Sequence, residues 1–96
     1  MPMPRLTGMR PLENGRLALV FWDDVLQDSE VRVYDLWSGF ASRRNDPLCS
    51  KWFDPEFFRR ACIFGECVAW DDFYELPFDE LYDGSEKVEE GFWCLI

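Results

Sequence analysis

Two stretches decide the fold: Arg16-Leu17-Ala18-Leu19-Val20-Phe21-Trp22 and Glu30-Val31-Arg32-Val33-Tyr34-Asp35. The first follows a Glu13-Asn14-Gly15 turn, and its apolar density suits a strand buried on at least one face. The second alternates charged and apolar side chains at period two, which marks a half-buried strand antiparallel to the first. Residues 23–29 between them are polar and predict a loop. Toward the amino terminus, residues 5–10 add an edge strand whose length is limited by Pro2, Pro4 and Pro11.

Toward the carboxyl terminus, residues 36–40 fit a short helical turn, and residues 41–47 form a polar connection containing Arg43 and Arg44. Asp54-Pro55-Glu56 marks a helix start: Asp54 can cap free amides, Pro55 suits the first helical position, and the dipole favours Glu56. That helix covers residues 55–60, and its adjacent Phe57 and Phe58 flank the core. Residues 61–64 and 66–70 pair around Gly65, residues 73–76 continue the meander, and residues 77–82 make a last helical turn ending at Gly84. The order predicts one α+β domain over residues 1–96, with a small antiparallel sheet of about five strands and two or three short helices.

A chain of 96 residues can bury a sizeable core. Nine Phe, five Trp and three Tyr supply more ring surface than such a core needs, so some rings remain near the surface. A hydrophobic share of 48% argues against disorder except over residues 83–90. The amino terminus, MPMPRLTGMR, has prolines and arginines where a signal peptide needs an apolar run, and residues 17–22 are too short to span a bilayer. The tail Cys94-Leu95-Ile96 misses the prenylation pattern by one position. A cytoplasmic protein without a membrane partner is expected.

Charge is distributed unevenly. Residues 1–60 carry nine acidic and nine basic side chains, whereas residues 61–96 carry ten acids against Lys87 alone. Such an excess creates a negative potential that repels nucleic acid and attracts a basic surface. The same acids would also serve simply as a solvated face that keeps an aromatic-rich domain soluble. Arg43, Arg44, Lys51, Arg59 and Arg60 are too few to make a net charge of -9 bind a phosphate backbone, so no direct nucleic-acid partner is expected.

Catalytic chemistry has little material. Without histidine there is no hydrolytic triad, two lysines give poor support to a Ser-Lys or Cys-Lys substitute, and no glycine spacing matches a phosphate-binding loop. Asp71, Asp72 and Glu75 could hold a hard cation or share acid and base roles, but a solvated turn between Trp70 and Phe73 explains the same residues. No cofactor and no metal site are expected. Cys49, Cys62, Cys67 and Cys94 lack a Cys-x-x-Cys pair and read as buried, reduced thiols; Cys62 and Cys67 could face one another across the Gly65 hairpin.

The succession Arg10-Pro11-Leu12-Glu13-Asn14-Gly15-Arg16-Leu17, Val31-Arg32-Val33-Tyr34-Asp35-Leu36, Asp54-Pro55-Glu56-Phe57-Phe58, Val68-Ala69-Trp70-Asp71 and Leu76-Pro77-Phe78-Asp79-Glu80-Leu81-Tyr82 resembles the small bacterial domain-of-unknown-function family 2442. The likeness spans residues 9–83. It implies a short α+β domain with no established enzymatic activity, in a family some of whose members are suspected as one half of a toxin–antitoxin pair. The acidic loop at residues 23–29 and the tail at residues 87–96 depart from the family pattern. The apolar tail Gly91-Phe92-Trp93-Cys94-Leu95-Ile96 either packs back as an added edge strand or docks on a partner.

Two functions follow. The first is a non-enzymatic acidic inhibitor or neutralising partner, anti-CRISPR-like or antitoxin-like, that mimics nucleic acid on a nuclease, CRISPR effector or toxin. Its expected contacts are Asp71, Asp72, Glu75, Asp79, Glu80 and Asp83; Glu86, Glu89 and Glu90 belong to a segment that would have to be ordered first. The second is an adaptor that uses an open strand edge or an aromatic surface built on Trp22, Trp52, Phe92 and Trp93.

Overall fold

The computed structural model describes residues 4–47, 49–70, 74–89 and 91–95. Strands β1 (Arg5–Pro11), β2 (Arg16–Asp23) and β3 (Asp28–Asp35) form an antiparallel meander. Helix α1 (Leu36–Gly39) and a run of 3-10 turns lead to α2 (Pro55–Phe58). Strands β4 (Cys62–Phe64), β5 (Cys67–Ala69) and β6 (Glu75–Leu76) then make a second antiparallel meander. Helix α3 (Phe78–Asp83), strand β7 (Glu86–Val88) and helix α4 (Gly91–Leu95) complete the chain.

The α+β class and the single domain are those the sequence predicts. Among the described residues the strands number seven and fall into two sheets, ordered β1-β2-β3-β7 and β4-β5-β6. One short segment, β7, lies outside the extended runs read from the sequence. Residues 86–88, expected to be disordered, pair with β3 through Val31 with Val88, Arg32 with Lys87 and Val33 with Glu86. The long polar interval is also shorter than expected, because β2 runs on through Asp23 and β3 begins at Asp28. The Asp23 carboxylate accepts the amides of Val25 and Leu26 at 2.9 and 3.2 Å, which closes the turn at once.

Period two sorts the long strands. Leu17, Leu19 and Phe21 of β2 share a face with Tyr34 of β3, all buried, and meet Leu36, Phe58, Val68, Trp70, Leu76 and Leu81. Asp54 caps α2 by accepting the Glu56 amide at 3.0 Å, with Pro55 in its first turn, as that tripeptide predicts. Trp52, proposed above as a surface ring, is 8% exposed and sits among Phe40, Trp70 and Tyr74 with centroids 5.3 to 5.6 Å away. A surface role for it is thereby ruled out.

The opposite face of the four-stranded sheet meets the carboxyl-terminal tail. That tail is a helix instead of the anticipated edge strand, and the edge beside β3 is already filled by β7. Trp93 lies so close to Gly8 that an added Cβ there would meet its ring at 3.4 Å, and the Arg10 guanidinium sits 4.5 Å from the ring centroid. Cys62 is exposed rather than buried, and the hairpin register sets it against Ala69 and sets Cys67 against Phe64, so the two thiols do not face one another.

Candidate functional site

Helix α3 presents three of the six expected contacts. Its apolar residues Phe78, Leu81 and Tyr82 fall at positions i, i+3 and i+4, so one face docks and the acids take the other. Phe78 and Tyr82 stack on each other and meet Phe21 edge-on, with centroids 5.5 and 5.1 Å from it. Asp79, Glu80 and Asp83 are exposed. Asp79 and Asp83 lie one turn apart on the same side, about 5–6 Å between Cβ atoms.

Glu80 is held more firmly than its neighbours. The Tyr34 hydroxyl donates to its carboxylate at 2.8 Å. Burial raises the Tyr34 pKa far above the usual phenol value, and the hydrogen bond to Glu80 and its negative charge add to the effect, so the phenol remains a donor at neutral pH. Gly84 makes the approach possible, since a Cβ there would sit 2.7 Å from the Glu80 carbonyl oxygen and 2.8 Å from Tyr34 Cε2.

Beside this lies a closed polar network. Arg32 donates to the Ser85 hydroxyl and carbonyl oxygens, each at 2.7 Å, and to Glu30 at 2.9 Å. Its guanidinium also lies 4.7 Å from the Tyr82 ring centroid, while the Tyr82 hydroxyl donates to Glu30 at 3.3 Å. Burial raises the Tyr82 pKa, then the charge of Glu30; Arg32 opposes the shift and Asp23 adds to it. The network fixes α3 and β7 onto β3 and neutralises Arg32 internally.

The long-range effect of Asp23 and Glu30 on Tyr82 reveals what sequence reasoning missed. Packing Phe21 against α3 brings Asp23 and Glu30 of the β2–β3 hairpin beside Tyr82, on the helix that also carries Asp79, Glu80 and Asp83. Between them, segments 23–30 and 78–89 hold nine carboxylates and one cation of their own, Lys87. Glu86 and Glu89 are exposed on or beside β7. Asp24 is partly spent, accepting from Arg5 at 3.1 Å and from the Trp22 indole at 2.7 Å. Glu75 is exposed but belongs to β6 in the other sheet. Asp71 and Asp72, like Glu90, lie outside the described residues.

The Tyr34, Tyr82 and Ser85 hydroxyls beside these carboxylates all donate hydrogen bonds within the fold. Among the described residues, no group of three or more carboxylates and thiols is placed to hold a metal ion, and no helix is long and apolar enough to cross a membrane. A cleft of about 630 Å³ is lined by Arg16, Asp35, Ser38, Glu86, Val88 and Phe92 among others, and in it the Ser38 hydroxyl donates to the Asp35 carboxylate at 3.0 Å. Comparison with protein-family models, curated proteins and solved structures found no match to this chain. The resemblance to family 2442 therefore rests on the motifs quoted above.

Proposed function

We propose that this protein is a non-enzymatic acidic binder that works in the cytoplasm by occupying the basic, nucleic-acid-binding surface of a partner protein such as a nuclease, CRISPR effector or toxin. The observation that carries the reading is the junction of α3 with the β2–β3 hairpin. Asp23 and Glu30 of the hairpin lie beside Tyr82 of the helix that carries Asp79, Glu80 and Asp83, and the nearby cation Arg32 is already paired with Glu30. Preformed charge of one sign steers association and competes with a polyanion for the same cations.

The test begins with capture of the partner on immobilised protein and continues with the purified pair. Association should slow sharply between about 0.05 and 0.5 M salt, as expected for attraction screened beyond a Debye length. Added protein should displace labelled nucleic acid from the partner, and the double substitution Asp79→Asn with Asp83→Asn should weaken that displacement. An association rate indifferent to salt, or simultaneous binding of protein and nucleic acid, would reject the reading.

A further inference from the structure

Among the described residues the exposed large apolar side chains form two neighbouring pairs, one in each hairpin: Val25 and Leu26 at 63% and 73%, Ile63 and Phe64 at 38% and 73%. The pairs differ in the charge beside them. Arg60 precedes the second pair and Glu66 follows it, so both signs are at hand. Asp23 and Asp24 precede the first, Asp28 and Glu30 follow it, and residues 23–31 contain no cation. Arg5 and Arg32 pair with Asp24 and Glu30 from outside the turn, and among the described residues Asp23 and Asp28 have no ion-pair partner.

The fold does not call for apolar residues at this turn. Asp23 pairs with Asp28, which leaves residues 24–27 as a four-residue loop where Asn, Asp, Gly or Ser would serve as well. The loop is nevertheless fixed. Asp23 Oδ1 accepts the Val25 and Leu26 amides, Asp24 Oδ1 accepts from the Trp22 indole and from Arg5, and Asp28 Oδ1 accepts the Ser29 amide at 2.8 Å. An apolar pair carried by a turn that is already closed can be buried by a partner at little ordering cost.

We propose that Val25 and Leu26 are the apolar anchor of the acidic interface and enter a depression on a partner protein that is rimmed by lysines or arginines. This inference rests on the function proposed above, and it adds that the partner's surface is apolar at its centre as well as basic. Charge complementarity selects the occupant. The carboxylates on both sides of the pair repel nucleic-acid phosphates and anionic headgroups, and a second copy would bring its own net charge of -9. A basic protein gains from the acids at a distance and from the apolar pair at contact. Rim charges set the rate of association, and buried anchors at the centre set how long the complex lasts.

Two labelled synthetic peptides of equal charge serve as probes, one alternating Lys with Leu and the other Lys with Ser, titrated with the full chain by fluorescence polarisation. The Lys-Leu peptide should bind about ten-fold more tightly than the Lys-Ser peptide. Val25→Ser combined with Leu26→Ser should bring the two within about two-fold of each other and leave Lys-Ser binding as it was. Ile63→Ser with Phe64→Ser should keep the preference, and Asp79→Asn with Asp83→Asn should weaken both peptides alike. Circular dichroism of each variant verifies that the fold is kept. Equal affinity for the two peptides, or a preference that survives the tip substitutions, overturns the anchor and leaves the acidic surface standing. Absence of salt-dependent binding to either peptide overturns both. Self-association, or binding to phosphatidylcholine vesicles, that the tip substitutions abolish would assign the pair to a second copy or to a membrane and would also overturn the proposal.

Discussion

The β2–β3 and β4–β5 hairpins start from the same local logic, two extended runs around a tight turn, and use their surfaces in opposite ways. The first pairs residues all along its strands, buries Leu17, Leu19 and Phe21, and exposes Val25 and Leu26 among the acids of its turn. The second pairs three residues a side, buries only Val68, and leaves Ile63 and Phe64 in solvent. Length separates them. The long hairpin is apolar on both faces, with Leu17, Leu19 and Phe21 on the core side and Ala18, Val20, Val31 and Val33 on the other, whereas the three-residue strand β4 leaves Ile63 and Phe64 exposed. Large apolar residues therefore carry different weight in the two places.

The sharpest way to break this contrast is a paired substitution. Phe21→Ala should cost about 3–5 kcal/mol, because it opens a cavity where β2 meets Phe78 and Tyr82. Phe64→Ala should change stability by no more than about 0.5 kcal/mol, since the ring is exposed. Urea denaturation of both variants measures the difference, and equal losses would refute it.

A smaller effect concerns the cover on the back of the first hairpin. Trp93→Ala removes the ring that lies on Gly8 and beneath Arg10, and should cost about 1–2 kcal/mol while leaving salt-dependent partner binding intact. Unchanged melting with lost binding would make the tail a docking peptide.

The smallest effect is invisible at neutral pH. The Tyr34 pKa is raised in the folded protein, so below the ordinary phenol value of 10.0 its contribution is fully present. Above that pH the unfolded chain releases the proton while the folded one retains it, and stability falls as pH rises. Tyr34→Phe should flatten that alkaline loss in urea titrations between pH 9 and about 11.5. An unchanged slope would mean that Tyr34 does not titrate differently in the two states.

Most of the backbone plan was legible because its signals are local. Alternation at residues 30–35 marked β3 as a strand, although the core face takes Tyr34 with Glu30 and Arg32 while Val31 and Val33 lie on the other; Asp54-Pro55-Glu56 marked the start of α2, and Gly65 the second hairpin. Strand β7 escaped because Glu86-Lys87-Val88 offers a single apolar residue, and its pairing depends on Arg32 reaching Ser85 across the fold. The tail escaped because a short apolar run has no period that separates helix from strand. Of the candidate surface, Asp79, Glu80 and Asp83 stood out as a charge run. Asp23 and Glu30 did not, since their neighbourhood exists only after Phe21 docks on α3.

That dependence gives the acidic surface a place in time. The contacts joining Arg32 to Ser85 span 53 residues, and closing a loop of that length costs about 3–4 kcal/mol of chain entropy before any contact repays it. The β1–β2–β3 meander, built from near neighbours, can assemble while the rest of the chain is still being synthesised. The carboxylates of α3 join those of the hairpin only at the last step. A nascent or truncated chain would then carry a folded beginning without the combined charge, and the surface would become competent only once the protein is finished.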